Sequence, residues 1–260
     1  GGIESLLYQK TNDEGDILRV EGVGIIGQHQ YELSLSLTDA DGSVLSIGAE
    51  NYRKFSDQDG WYGVDGSEDG AYALTEDLHL DIGKAWIAYM MPISDTLTLD
   101  LGYEYAWKKG RKNSVMFGRI EGIGSIGLYP SYKVIDEDWH TFKLGLTYED
   151  DGLTIANQLI YEMYDGHYRN VDFVPADVDD TIDYDTGHVA TEDYEFDHIT
   201  YTLLLEKWLS DKTVLSAGYM FNWLDGDLEW MIDQVDFDMA RHPHADYTDG
   251  PLDVDEYSHI

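Results

Sequence analysis

The chain contains no cysteine in its 260 residues. That absence removes disulfides, thiol nucleophiles, thiolate metal sites and the Cys-x-x-Cys-His attachment of covalent haem. It suits an oxidising, extracytoplasmic compartment. Basic residues are scarce: 16 Lys and Arg stand against 52 Asp and Glu, a formal charge of −36. A nucleic-acid partner is excluded on that ground, because such binding rests on neutralising phosphates with Lys and Arg. No apolar run approaches roughly 18 residues, so no membrane-spanning helix is expected; a β-barrel, the other way across a bilayer, stays open. No cationic and apolar leader follows Gly1, so a signal peptide is read as removed or the segment as a fragment. Gly-x-Ser-x-Gly, the phosphate loop and His-Glu-x-x-His are also missing. Carboxylate pairs abound, but nothing singles one out, so no catalytic residue is assigned and no enzyme is expected.

The residues that are present alternate with period two. Tyr31, Leu33, Leu35 and Leu37 are interleaved with Glu32, Ser34, Ser36 and Thr38. Leu97, Leu99, Leu101, Tyr103, Tyr105 and Trp107 form one face of a longer run, and Phe142, Leu144, Leu146 and Tyr148 one face of another. Leu215, Ala217, Tyr219, Phe221 and Trp223 repeat the pattern. Successive side chains of a strand point to opposite faces, so each run has an apolar face and a polar or small one. About ten strands are predicted, near 3–10, 16–27, 29–38, 43–55, 78–91, 95–108, 139–149, 152–164, 195–209 and 213–224. Most exceed the usual ~5–6 residues of globular strands and match the ~9–11 that cross a bilayer at a tilt.

Short turn-forming links at 38–42, 92–95, 150–152 and 210–212 alternate with long stretches at 56–77, 109–138 and 165–194, read as loops. This is the construction of an outer-membrane barrel, with short periplasmic turns and long extracellular loops. Segments 56–77, 165–193 and 225–260 hold more than half of the carboxylates but only Arg169 and Arg241 of the basic residues. The expected fold is therefore all-β, an antiparallel transmembrane β-barrel over residues 1–260 as a single domain with acidic extracellular loops. Residues 225–260 read as an irregular tail, so further C-terminal strands are expected to be missing. Trp86, Tyr105, Trp107, Trp139, Trp208 and Trp223 lie near predicted strand ends and are the candidate interface girdle in contact with bilayer and lipopolysaccharide.

Three clusters are candidate sites. Asp57, Asp59, Asp65, Glu68 and Asp69 lie among glycines and supply the oxygen ligands that calcium prefers, without the spacing of an EF-hand. Lys108, Lys109, Arg111 and Lys112 form a basic cluster suited to lipopolysaccharide phosphates or a partner's acidic groups. His242, His244 and Asp246 are metal-type ligands around Pro243, with no established spacing.

One stretch carries a family resemblance. Tyr103-Glu104-Tyr105 is followed by Lys109-Gly110-Arg111-Lys112-Asn113-Ser114 and Phe117-Gly118. Then come Tyr129-Pro130-Ser131-Tyr132, Val134-Ile135-Asp136-Glu137, and His140 opening a strand. Residues 103–142 thus resemble the large outer-membrane barrels of porin–cytochrome electron conduits, the decahaem-associated MtrB/PioB family. The motif residues are Lys109, Gly110, Ser114, Pro130, Asp136, Glu137 and His140. The resemblance implies a non-catalytic sheath in the bacterial outer membrane. It would surround a periplasmic multihaem c-type cytochrome inserted in its lumen, with an outer-surface cytochrome docked on the external loops. Haem would be carried by the partner and none by this chain. Two alternatives stand beside it: a diffusion porin or solute-uptake channel, and a secreted acidic β-sandwich that binds glycan or calcium.

Overall fold

The computed structural model describes residues 1–56, 78–119, 126–174, 186–236 and 249–259. They form a single antiparallel sheet of eleven strands in which every strand pairs with its chain neighbours. The strands are β1 (Gly2–Thr11), β2 (Ile17–Ile25), β3 (Gln30–Thr38), β4 (Val44–Phe55), β5 (His79–Ser94), β6 (Leu97–Arg119), β7 (Ile126–Asp150), β8 (Leu153–Val174), β9 (Thr186–Ser210), β10 (Thr213–Asp236) and β11 (Asp249–His259). Among the described residues β1 pairs only with β2 and β11 only with β10, so the sheet is open. No second sheet covers either face among those residues, as the sandwich alternative would need. No helix there is long and apolar enough to cross a membrane.

Tight turns close the hairpins at one end. The β3–β4 turn is held by Asp39 N donating to Ser43 O at 2.9 Å and Gly42 N to Asp39 O at 3.0 Å. Gly42 sits at φ +92°, where a side chain would be strained. Asp151 and Gly152 both take positive φ between β7 and β8, the two-residue geometry that matches strand twist.

The structure corrects three sequence expectations. The stretches 109–138 and 165–194 are not structureless: β6 continues to Arg119, β7 starts at Ile126, β8 reaches Val174 and β9 starts at Thr186. Residues 225–260 are not an irregular tail, since β10 runs to Asp236 and β11 occupies Asp249–His259. The described residues thus form eleven strands, where about ten were expected. The physical reason is that a ladder, once in register, propagates through backbone hydrogen bonds alone and needs no apolar alternation. β7 and β9 have 25 residues each, about 80 Å of extended chain. That is well over twice what a bilayer crossing uses.

Candidate functional site

Register converts the alternating runs into rows that cross the whole sheet. One row reads Tyr8, Val20, Leu35, Ile47, Ile87, Tyr103, Phe142, Tyr161, Ile199, Trp223 and Tyr257, each residue directly paired with the next. Every one is apolar or aromatic. The next row on that face includes Leu45, Tyr89, Leu101, Leu144, Leu159, Tyr201 and Phe221. Between them, on the opposite face, runs Ser36, Ser46, Ala88, Gly102, Lys143, Ile160, Thr200 and Asn222, polar or small except at Ile160. On β7 the apolar face spans His140 to Tyr148, about 26 Å along the strand. The lipid-facing band of a barrel is ~25 Å tall.

Burial follows the opposite pattern to a soluble core. Leu101 is 44% exposed, Phe142 43%, Leu144 45% and Leu215 57%. The buried apolar residues among those described, Leu78, Leu80, Tyr132, Ile135, Tyr164 and Val171, all lie beyond the band at the long-strand end. A contiguous exposed apolar face of this width marks a surface that a protein partner or a membrane covers.

Above the band the same face turns acidic within one step of the pleat. Asp138, Asp165, Glu195 and Asp227 are directly paired neighbours on four strands. The next row is Asp136, His167, Asp193 and Glu229. Directly opposed like charges destabilise a sheet. Glu195→Gln is therefore expected to stabilise this upper region by about 0.5 kcal/mol at low ionic strength. The gain should shrink at 1 M salt, where the screening length falls to about 3 Å. Unfolding midpoints at both salt concentrations check this; an unchanged or lower midpoint at low salt would refute it.

On the opposite face, at the same height, lies a buried polar network. Glu137 is 4% exposed. Lys108 Nζ donates to its Oε1 at 2.9 Å and Oε2 at 3.2 Å, and Tyr168 Oη donates to Oε1 at 2.7 Å. Tyr164 Oη and Tyr168 Oη are hydrogen-bonded. The Tyr164 ring lies over Gly166, where any Cβ would collide with it. Tyr164 also stacks on Phe196 at 4.5 Å and meets Trp139 in a tilted contact at 4.8 Å. Lys133 Nζ reaches Glu192 at 2.9 Å and sits 4.4 Å over the Tyr168 ring. Burial pushes the Tyr168 phenol well above the ordinary tyrosine range, and its bonds to Tyr164 and Glu137 add to the shift. Burial also raises Tyr164. Tyr194 is raised by burial and by the Glu192 carboxylate.

These raised values fix the sign of an alkaline effect. The folded state holds protons that the unfolded chain releases near pH 10, so the stabilisation is complete below that value and is lost as pH rises above it. The unfolding midpoint is expected to fall between pH 9 and pH 11, and to fall less in Tyr168→Phe. A midpoint equal at both pH values would refute the assignment.

The residues singled out in the sequence divide as follows. Lys109 pairs with Asp136 at 2.7 Å and Asp138 at 2.8 Å, so two separate segments of the resemblance are register partners on β6 and β7. Hydrogen bonds that Lys109 donates to Asp136 and then to Asp138 raise its ammonium above the ordinary lysine range. Burial opposes ionisation of Asp138, but its bonds with Lys109 and Tyr105 prevail and hold the carboxyl below the usual range. Gly110 sits at φ +137° with the His79 carbonyl where a Cβ would be. Ser114 and Pro130 lie on the far parts of β6 and β7. His140 Nδ1 is 2.8 Å from Tyr103 Oη.

The basic cluster is not one patch. Alternation sends Lys108 to the Glu137 face and Lys109 to the other, and both are ion-paired. Of the girdle candidates, Tyr105, Trp107 and Trp223 share the apolar face at its upper margin, and Trp107 Nε1 reaches across Gly83 to Asn51 Oδ1 at 3.3 Å. Trp86 and Trp139 lie on the opposite face, Trp86 against Gly48 and Trp139 against Tyr164. Trp208 is 52% exposed beside the β7–β8 turn at the other end. Asp57, Asp59, Asp65, Glu68 and Asp69, and His242, His244 and Asp246, lie outside the described residues. Among the described residues no three His, Asp or Glu are grouped so as to hold a metal ion.

Sequence reasoning missed Glu137 as a buried acid and the aromatic stack around Tyr164. No signal in the sequence pointed to them, because Asp136-Glu137-Asp138 breaks the β-compatible pattern that resumes at Trp139. No protein-family model matches the chain, and no curated protein matches it.

Proposed function

We propose that this chain forms part of the wall of a transmembrane β-barrel in a bacterial outer membrane, non-catalytic, with its apolar face toward lipid and its Ser, Thr and Gly face toward the lumen. The observation that carries the reading is the pair of adjacent register rows, one apolar through all eleven strands from Tyr8 to Tyr257, the next one polar or small on the opposite face apart from Ile160. In hydrocarbon a sheet satisfies its backbone groups only when it is closed on itself.

Within that architecture the preferred role is the sheath of an electron conduit. A periplasmic multihaem c-type cytochrome would occupy the lumen, and an outer-surface cytochrome would rest on the extended upper part. The support is the resemblance of residues 103–142, whose Lys109 and Asp136 are joined across β6 and β7. Gly218, with open space beside it on the lumen face, lets a guest backbone come close. A diffusion or solute-uptake channel is the second reading, favoured by a concavity on the lumen face lined by Ser46, Asp100, Lys143, Gln158 and Thr202.

A haem-stained gel and a visible spectrum of the detergent-extracted native complex separate the two. A c-type spectrum with haem on a co-purifying polypeptide and none on this chain is the expected result. A colourless, heat-modifiable band would end the conduit reading and leave the channel.

A further inference from the structure

The apolar face carries a furrow whose chemistry changes along its length. Its lower part is a concavity of about 440 Å³ lined by Tyr89, Leu101, Leu144 and Leu159, with Ile87 and Tyr103 one row higher. Ile87 and Tyr103 also line a second concavity, of about 630 Å³, which continues past Ala85, Tyr105 and His140 to Asp138 and Asp165. Both volumes fall in the ~300–1,000 Å³ range of small-molecule sites. Register explains the furrow. Above Ile87, β5 presents only Ala85 and Gly83 on this face, directly paired with Tyr105 and Trp107 of β6. Short side chains on one strand make a floor, and rings on the next make a wall. The wall is held in place: Tyr103 Oη lies 2.8 Å from His140 Nδ1, Tyr105 Oη donates to Asp138, and the Tyr105 and His140 rings are 5.0 Å apart.

The two ends of the furrow ask for different groups. The lower end is aliphatic and aromatic. The upper end is acidic. Asp138 is engaged by Tyr105 and Lys109. Asp165, its direct partner on β8, is exposed and makes no hydrogen bond or ion pair among the described residues. Glu195 stands on its other side. Carboxylates opposed in this way repel one another, and a cation placed at Asp165 relieves that repulsion. From Leu144 to Asp138 the furrow rises about 20 Å along β7. That spans the hydrocarbon of one leaflet, about 15 Å, and enters its head-group layer. We propose that this furrow binds a membrane lipid whose head group carries a primary ammonium. An acyl chain lies along Leu144, Leu101 and Ile87, and the ammonium pairs with Asp165 beside the Tyr105 ring. A purely anionic head group is disfavoured there, because it would meet Asp138, Asp165 and Glu195 together. The inference rests on the membrane reading above and holds for either role of the lumen.

The test uses the detergent-purified native complex and native mass spectrometry. Phosphatidylethanolamine and phosphatidylglycerol with identical acyl chains are the probes, added separately over the same concentration range. Phosphatidylethanolamine is expected to be retained at about tenfold lower concentration, the effect of one charge-assisted contact. Asp165→Asn, which keeps the side-chain shape, should abolish that preference. Asp211→Asn, in the β9–β10 turn at the other end of the sheet, should leave it unchanged. Ala85→Phe, which fills the floor, should weaken retention of both lipids. Equal retention of the two lipids by the unaltered protein, or a preference that survives Asp165→Asn, would overturn the proposal. So would a lipid-free assembly in which a second copy of this chain covers the furrow. These results would leave the membrane reading standing. Release of the chain from native membranes by carbonate washing would overturn both.

Discussion

If the apolar face meets lipid as proposed, Leu144→Arg is expected to destabilise the protein in a bilayer by about 2–4 kcal/mol, the penalty of a cation near the midplane of a lipid-facing strand. Leu144 lies between Leu101 and Leu159 in the register, and its side chain is 45% exposed. The same substitution at Thr147, which faces the other side beside Thr98 and Ala156, should change stability by less than about 1 kcal/mol, since the polar face would solvate the charge. Reversible unfolding in liposomes gives both numbers. The contrast between the two sites is what matters. If the apolar face met water, an arginine at a half-exposed leucine would be neutral or would improve solubility. If that face were covered by a second sheet, both Leu144 and its neighbours would be buried, which they are not. Equal effects at Leu144 and Thr147 would refute a lipid-facing band.

Much of this band was legible in the sequence because it obeys the simplest rule of the strand. Leu97 to Trp107 and Phe142 to Tyr148 alternate without interruption, and a one-residue slip between them would send every leucine to the polar side. Turn residues such as Asp41-Gly42 and Asp151-Gly152 then fix which run pairs with which. The upper half was not legible, and the reason is visible at Asp136, Glu137 and Asp138. Three consecutive carboxylates read as a solvated loop. In the structure the pleat sends Asp136 and Asp138 to Lys109 on one face and Glu137 to Lys108 and Tyr168 on the other. Which acid is buried depends on a neighbour 29 residues away in sequence, and only the register reveals it. The basic run 108–112 was misread for the same reason, since neighbours in sequence stand on opposite faces of a strand. Gly166 illustrates the converse case. In sequence it looks like a turn residue, yet it is the seat on which Tyr164 lies to reach Tyr168.

The second large effect is expected at Glu137. Glu137→Ala removes the acceptor of Lys108 and Tyr168 in one step. Losing one partner of a buried ion pair costs about 3–5 kcal/mol. Lys108 is a third exposed and can turn toward water, so the low end, about 3 kcal/mol, is the expected loss. It should be confined to the region above the band. Hydrogen exchange should quicken over β7 and β8 near Glu137 and Tyr168, while the stretch from Phe142 to Tyr148 stays protected. Glu137→Gln should lose less, because the amide oxygen still accepts from Tyr168. The double replacement Glu137→Leu with Lys108→Met should recover much of the loss, since a buried pair exchanged for apolar groups of similar volume is often close to neutral. That recovery separates a pair retained for its geometry from one retained for its net energy. A double variant as unstable as Glu137→Ala would instead place the stability in the tyrosine bonds, and Tyr168→Phe would then reproduce most of the loss by itself.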